Sequence, residues 1–385
     1  MSKQLSTPDQ GRRQFLSRTL KGSSALMLGA AALSSQLAIA QQSVSAQFNQ
    51  PMSGEDYWQM AREQFSFPET TVPMNAAKLC PSFRSVAEQV AFLTADIDQD
   101  CSFNNRSKFL DLLENTRALV AAQLKVSAGD IALVRNTSEA NNIINNGLDL
   151  SAGDEVIIWD ENHPTTHVAW QVRAARYGFN VIKVAKACGI YVCVDGAQTW
   201  GAMALDVKAL GMDSFAASAH KWYKGPKEVG LLYIKADQRA RIWPGVVASG
   251  WWGNGPETRL SGARKFESLG QRDDAALAAL SVAARIHDSI GSARIEQRTV
   301  QLSQHLKSGV QSLGLPLVTP LDTALSFGVV VVQTEAGQGG PLSNRLYEEF
   351  RIAGAGTGGL RLCLGIYNTL AHVDRALAGI KQLMV

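Results

Sequence analysis

The chain lacks the cysteine spacing of a disulfide-stapled or zinc-binding protein. Its five cysteines, at positions 80, 101, 188, 193 and 363, are odd in number and irregularly spaced, and no two form a CxxC pair. That excludes a disulfide framework and a cysteine-ligated metal site. Charge of one sign is also scarce. Lys and Arg total 37 against 34 Asp and Glu, a formal charge of +3. No basic stripe interleaved with aromatics occurs, so nucleic acid is not an expected partner. No apolar run is long and uninterrupted enough to span a membrane. What remains is an ordinary globular composition, 46% hydrophobic and 18% charged over 385 residues, enough for two domains and a large core.

The apolar run at residues 25–40 is broken by Ser34, Ser35 and Gln36. It follows Arg12-Arg13-Gln14-Phe15-Leu16 and closes on Ala38-Ile39-Ala40. A charged start, an apolar middle and small residues at the cut make a secretory signal, and the paired arginines resemble a bacterial twin-arginine signal. Residues 1–40 are therefore expected to be removed, leaving a periplasmic protein with no stable membrane span. Residues 41–75 read as a linker and N-terminal segment, with a first helix near 54–65.

Apolar residues at helical spacing predict amphipathic helices over 86–96 and 108–124. A strand over 130–135 runs into Asn136-Thr137-Ser138-Glu139-Ala140-Asn141-Asn142. A strand, a small-hydroxyl turn and a helix start leave N–H groups free for an anion. The same residues also suit a plain cap by Thr137 or Ser138 with Glu in the first turn. A strand over 154–159 precedes Asn162-His163-Pro164-Thr165-Thr166-His167. The four-residue spacing of His163 and His167 raises a zinc site, but Pro164 intervenes and no HExxH glutamate is present. His163 suits a ring stacking on a flat cofactor, or equally a surface loop.

Two strand-like stretches, 179–184 and 190–194, are separated by residues 185–189 alone. A parallel crossover needs about ten residues or more. The pair is expected to form a hairpin, or one of them is not a sheet strand. Val192-Cys193-Val194-Asp195-Gly196-Ala197-Gln198 ends an apolar strand on a carboxylate. A short helix is expected over 204–210 and a strand over 213–218. Then comes Ser218-Ala219-His220-Lys221-Trp222-Tyr223-Lys224-Gly225-Pro226, running into an apolar strand. A partly desolvated lysine there has a lowered pKa and is nucleophilic toward an aldehyde, and a lone loop lysine is the bland reading. Residues 243–262, rich in Gly, Pro and Trp, read as an irregular loop over a site. Helices over 275–291 and 294–314, a valine-rich strand over 326–333 and a terminal helix capped near Asn368-Thr369 complete the chain. Gly354-Ala355-Gly356-Thr357-Gly358-Gly359 leads into a strand rather than a helix, which argues against a dinucleotide turn. Arg361 lies between leucines on that strand, where it needs a carboxylate partner unless it is a surface charge.

The ordered set NTSEAN, NHP, VDGAQ, SAHK, GQRDD and GGLRLCLGIYNT resembles the class V aminotransferase family of fold type I pyridoxal-phosphate enzymes, from residue 75 onward. Cysteine desulfurases and isopenicillin N epimerase-like proteins belong to that family. The resemblance implies an α/β fold, with a large, mostly parallel-sheet cofactor domain at 76–250 and a smaller C-terminal α+β domain at 262–385. It implies pyridoxal 5′-phosphate as cofactor, an amino acid as substrate and a homodimer. Lys221 would form the internal aldimine and then move the α-carbon proton. Asp195 would pair with the pyridinium nitrogen, Gln198 with the phenolic oxygen, and His163 would stack on the ring. Thr137, Ser138, Ser218 and His220 would hold the phosphate, joined by Gln271 from the other subunit. Arg361, with Asn75, would bind the substrate carboxylate.

Two departures from the pattern follow. Residues 347–359 contain no cysteine, so the resemblance implies a reaction other than sulfur transfer. The family also carries a strand and a helix before VDGAQ, for which residues 185–189 leave no room. The sheet would lack a central strand or close around the gap, and an exported homologue with impaired or no catalysis is the alternative to an active enzyme. Transamination, epimerisation and elimination share one carbanion, and the residues do not choose among them.

Overall fold

The computed structural model describes residues 46–49, 51–159, 162–183, 190–248 and 262–385. The expected signal and most of the loop at 243–262 lie outside the described residues. The chain divides into residues 1–49 and residues 50–385. Of the first, only a helical turn at 46–49 is described, and every sheet among the described residues belongs to the second.

The second unit opens with α1 (Gly54–Arg62), β1 (Val72–Pro73), α2 (Arg84–Gln99), α3 (Phe103–Arg106) and α4 (Lys108–Gln123). Alternating elements follow: β2 (Ile131–Val134), α5 (Thr137–Gly147), β3 (Glu155–Ile158), α6 (Pro164–Tyr177) and β4 (Asn180–Lys183). Next come β5 (Cys193–Asp195), β6 (Ser214–Ser218) and β7 (Gly230–Ile234). The C-terminal part holds α7 (Asp274–Ile290), α8 (Ser292–Ser312), β8 (Val329–Val332), α9 (Gly339–Phe350), β9 (Ile352–Ala353), β10 (Leu360–Cys363) and α10 (Leu370–Met384).

Four strands make one sheet in the order β2-β7-β6-β5. β5 runs parallel to β6, and β7 is antiparallel to both β6 and β2, so three of the four share a direction. β3 and β4 form a separate parallel pair. Both expectations for 179–184 and 190–194 are therefore corrected. The two stretches are neither a hairpin nor strand and non-strand. Each finds a parallel partner elsewhere, β4 on β3 through the α6 crossover and β5 on β6, which places them in different sheets.

Among the described residues, two of the apolar cores bear on the sheets. Val134, Ile144, Ile158, Trp170, Leu232 and Phe266 belong to one. Val72 and Met74 of the N-terminal segment join Leu302, Val330, Leu362 and Val373 in the other, where β1 pairs with β9 and β10 with β8. α7 is buried on nearly every side because alanine dominates it, letting it lie against both α2 and α4. Each of its buried Leu and Ile side chains contributes about 1.5–3 kcal/mol.

Residues 207–210 form a turn and 204–206 no regular element, in place of the expected helix. Asp206 accepts a hydrogen bond from the Ala209 amide at 2.9 Å and another from Lys125 Nζ at 3.0 Å, a local pairing that competes with helical bonds. α6 and α9 were not expected. On α6 only Trp170 and Arg173 are buried while Val168 and Val172 are exposed, so its apolar residues do not mark the inner face.

Candidate active site

Lys221 lies in the turn after β6, and three backbone bonds shape that turn. Ala219 N donates to Val229 O at 2.8 Å, Gly225 N to Ala219 O at 2.8 Å, and Lys224 N to Lys221 O at 3.0 Å. Trp222 beneath it is 1% exposed, and its indole N–H donates to Gln198 Oε1 at 2.7 Å. The backbone before it is held from the N-terminal segment, where Cys80 N donates to His220 O at 2.8 Å. The Lys221 side chain enters a cavity of about 1090 Å³ that Thr137, Ser138, His163, Asp195 and Gln198 also line. Burial lowers the pKa of its amine below the ordinary lysine value; Asp195 opposes that shift and Arg361 reinforces it. A neutral fraction at lower pH is what a nucleophilic amine needs.

The turn before α5 is held against the lysine strand. Thr137 N donates to Ser218 Oγ at 2.8 Å, and the two hydroxyls lie 2.6 Å apart. The helix cap is neither Thr137 nor Ser138 but Asn136, whose Oδ1 accepts from Glu139 N at 2.9 Å. That correction leaves the Ser138 hydroxyl free of the cap, while the Thr137 hydroxyl is paired with Ser218. A Cβ on Gly230 would come within 2.5 Å of Ala217 O and 2.9 Å of Asn136 Cα, so only glycine lets β7 pass this close to the turn. A helix start with two hydroxyls is a ready anion site.

Asp195 ends β5, and its two oxygens are held separately. Oδ1 accepts from Ala197 N at 3.0 Å and Oδ2 from Asn141 Nδ2 at 2.9 Å. Asn141 was missed by sequence reasoning. Its signal was present, since it stands four residues after Thr137 and so one turn along the same helix face. Gln198 lines the cavity, and its Nε2 donates to Ala77 O at 3.0 Å. His163 is the N-cap of α6, its Nδ1 accepting from Thr165 N at 3.3 Å. Among the described residues no group of three His, Cys, Asp or Glu side chains could hold a metal ion.

Arg361 and Asn75 come together from opposite ends of the chain. Arg361 Nη2 donates to Asn75 Oδ1 at 3.2 Å, because Asn75 bridges to Cys363 beside β10. Gln271 stands apart from this group. It accepts from Arg106 Nη2 at 3.0 Å and does not line the cavity.

Hydrogen-bonding capacity remains open around Lys221. His220 Nδ1, Asn141 Oδ1 and Arg361 Nε are buried without a partner, and such atoms are costly unless a ligand or water meets them. Hydroxyls at a helix start, a carboxylate held in place and a partly buried amine in one cavity fit a ligand carrying a phosphate, a basic ring nitrogen and an aldehyde.

The aminotransferase class-V family model matches residues 101–184 and 179–376. Isopenicillin N epimerase of Amycolatopsis lactamdurans is 25% identical over 392 residues, covering 85% of this chain and 98% of that protein. A cysteine desulfurase of Dickeya dadantii is 31% identical over 184 residues, 34% of this chain and 44% of that protein. Desulfurases thus stand among the relatives, and the expectation against sulfur transfer gains nothing from the comparison. A mutant of C-DES with glycine covalently linked to its PLP cofactor superposes with a TM-score of 0.75 at 21% identity, over 84% of this chain and 99% of that one, which shows a shared fold.

Proposed function

Because the chain belongs to the aminotransferase class-V family, we propose that it is a pyridoxal-5′-phosphate-dependent enzyme acting at the α-carbon of an amino acid. The observation that carries this reading is Lys221, its amine pKa lowered by burial, in one cavity with Asp195 and the Thr137 turn. When bound, the cofactor supplies an electron-withdrawing ring that stabilises negative charge at the carbon attached to the substrate nitrogen.

The chain's own residues do the rest. Thr137, Ser138, Ser218 and His220 bind the phosphate, and the α5 N-terminus adds its dipole. Asp195 would bind the ring nitrogen, its carboxylate held in place by Asn141 and the Ala197 amide. Gln198 would hydrogen-bond the phenolic oxygen, and His163, which lines the same cavity, would stack on the ring. Arg361 binds the substrate carboxylate, with Asn75 fixing its guanidinium. Lys221 Nζ then takes the proton from the α-carbon and returns it. Delivery of a proton to the opposite face by a second group would be epimerisation, the reaction named for the Amycolatopsis relative. Gln271, outside its own cavity, reaches the phosphate of a second subunit in a homodimer. Residues 1–40 direct export to the periplasm.

Borohydride reduction of the cofactor-loaded protein followed by peptide mapping tests the reading. Label on the Lys221 peptide is expected, and no labelled peptide under saturating cofactor overturns it. The second reading, a fold-retaining homologue without turnover, is favoured by the division of the strands into separate sheets. Label on Lys221 with no α-hydrogen exchange for any amino acid would select it.

A further inference from the structure

The cavity beside Lys221 is larger than a bound cofactor and substrate need. Its volume of about 1090 Å³ exceeds the range of about 300–1,000 Å³ for small-molecule sites. Its walls explain the excess. Glu155–Ile158, the whole of β3, line it together with Cys193 and Asp195 of β5. Among the described residues β5 is the last strand of the four-stranded sheet, and β3 pairs with β4 alone. Among the described residues two strand edges therefore border one cavity; exposed apolar side chains stand on β3 at Ile157, just after it at Trp159 and just before β5 at Val192. Ile157 is 39%, Val192 44% and Trp159 70% exposed. An unpaired edge leaves a row of free N–H and C=O groups, which proteins ordinarily cover.

The relatives are longer than this chain over the matched stretch. The Amycolatopsis match runs over 392 residues but uses only 85% of this 385-residue chain, about 327 residues, leaving about 65 without a counterpart. The Dickeya match runs over 184 residues and uses 34%, about 131, leaving about 53. The family match breaks into two segments that meet at residues 179–184, on β4 at the join to β5. We infer that this chain has lost about 50–65 residues at that join, and that the cavity between β3 and β5 is an empty strand slot that accepts an extended polypeptide supplied as a separate chain. Bordered by strands on both sides and by α5 and α6 beyond, the slot suits about five or six residues rich in Val and Ile, the composition of a strand buried on both faces. The inference stands independently of the cofactor reading.

The test uses the full chain without cofactor and a synthetic polypeptide copied from the Amycolatopsis epimerase stretch that lies opposite the 183–190 join. Amide hydrogen exchange is read at Glu155–Ile158 and Cys193–Asp195. Exchange at both edges is expected to slow about tenfold or more, with β2 and β7 unchanged and a scrambled peptide without effect. Inserting the same stretch covalently between residues 183 and 190 is expected to slow the same amides and raise the urea midpoint. Unaltered exchange at both edges in both experiments overturns the slot. So does protection that rises with the protein's own concentration in the absence of peptide, because the edges then pair with a second copy of this chain.

Discussion

The two sides of the cofactor-domain strands differ in burial, and the candidate site straddles them. Every residue of β2, β6 and β7 is buried, whereas β5 has only Val194 half-covered between exposed neighbours and β3 buries Ile158 alone. Lys221, Ser218 and Thr137 stand on the buried side, and Asp195 stands on the open edge. Half of the site is thus held by a rigid core. The other half depends on a few side-chain bonds, chiefly Asn141 to Asp195. Preorganisation in a class V cavity is a property of the whole sheet, and here only one side of it is closed.

The largest expected contrast is chemical. Lys221→Ala should abolish borohydride labelling altogether while leaving thermal unfolding nearly unchanged, because Lys221 holds the turn through its backbone carbonyl, which alanine keeps. A retained label would place the reactive amine elsewhere. Stability should follow the same divide. Leu232→Ala on β7, where the side chain is fully buried, should cost about 2–5 kcal/mol. Ile157→Ala on β3, already 39% exposed, should cost less than about 1 kcal/mol. Equal losses in urea unfolding would mean the β3 edge is covered in solution.

A third contrast is in pH. Lys224 is 1% exposed, and burial holds its pKa down to about 8 from the ordinary 10.5. Between those values the unfolded chain binds more protons than the folded one, so stability rises with pH across that window and the penalty is fully present below it. The wild type should gain up to about 3 kcal/mol over Lys224→Met as pH rises from about 7.5 to about 10.5. Parallel urea midpoints would show that Lys224 keeps the ordinary lysine pKa and stays charged in the folded state. The smallest effect concerns the open edge. Asn141→Leu removes the bond to Asp195 and should weaken cofactor binding by about tenfold to a hundredfold, a charged hydrogen bond contributing about 1.5–3 kcal/mol. Titration by absorbance checks this, and unchanged affinity would show that Asp195 needs no support.

Most elements were legible where periodicity was regular, as in α4, α8, β7 and β10. α6 escaped because its Val168 and Val172 point to solvent, and 204–210 misled because Asp206 caps its own turn. The site motifs were legible as local chemistry: VDGAQ, SAHK and NTSEAN each put a strand end beside a polar turn. Asn141 was not, since a helical asparagine gains its role only from the carboxylate opposite it. The cap fell to Asn136 because Ser218 had already engaged Thr137.

By itself the sequence determined the local pieces, the lysine turn, the carboxylate at a strand end, the hydroxyl helix start and an over-short join at 185–189, because each depends on neighbours within a few residues. The tertiary structure decided the rest. It put Lys221, Thr137 and Asp195 on one cavity, brought Asn75 to Arg361 across 286 positions and assigned the strands on either side of the join to different sheets. Those outcomes depend on which strand edges and apolar faces find partners across the whole chain, and no local spacing encodes that pairing.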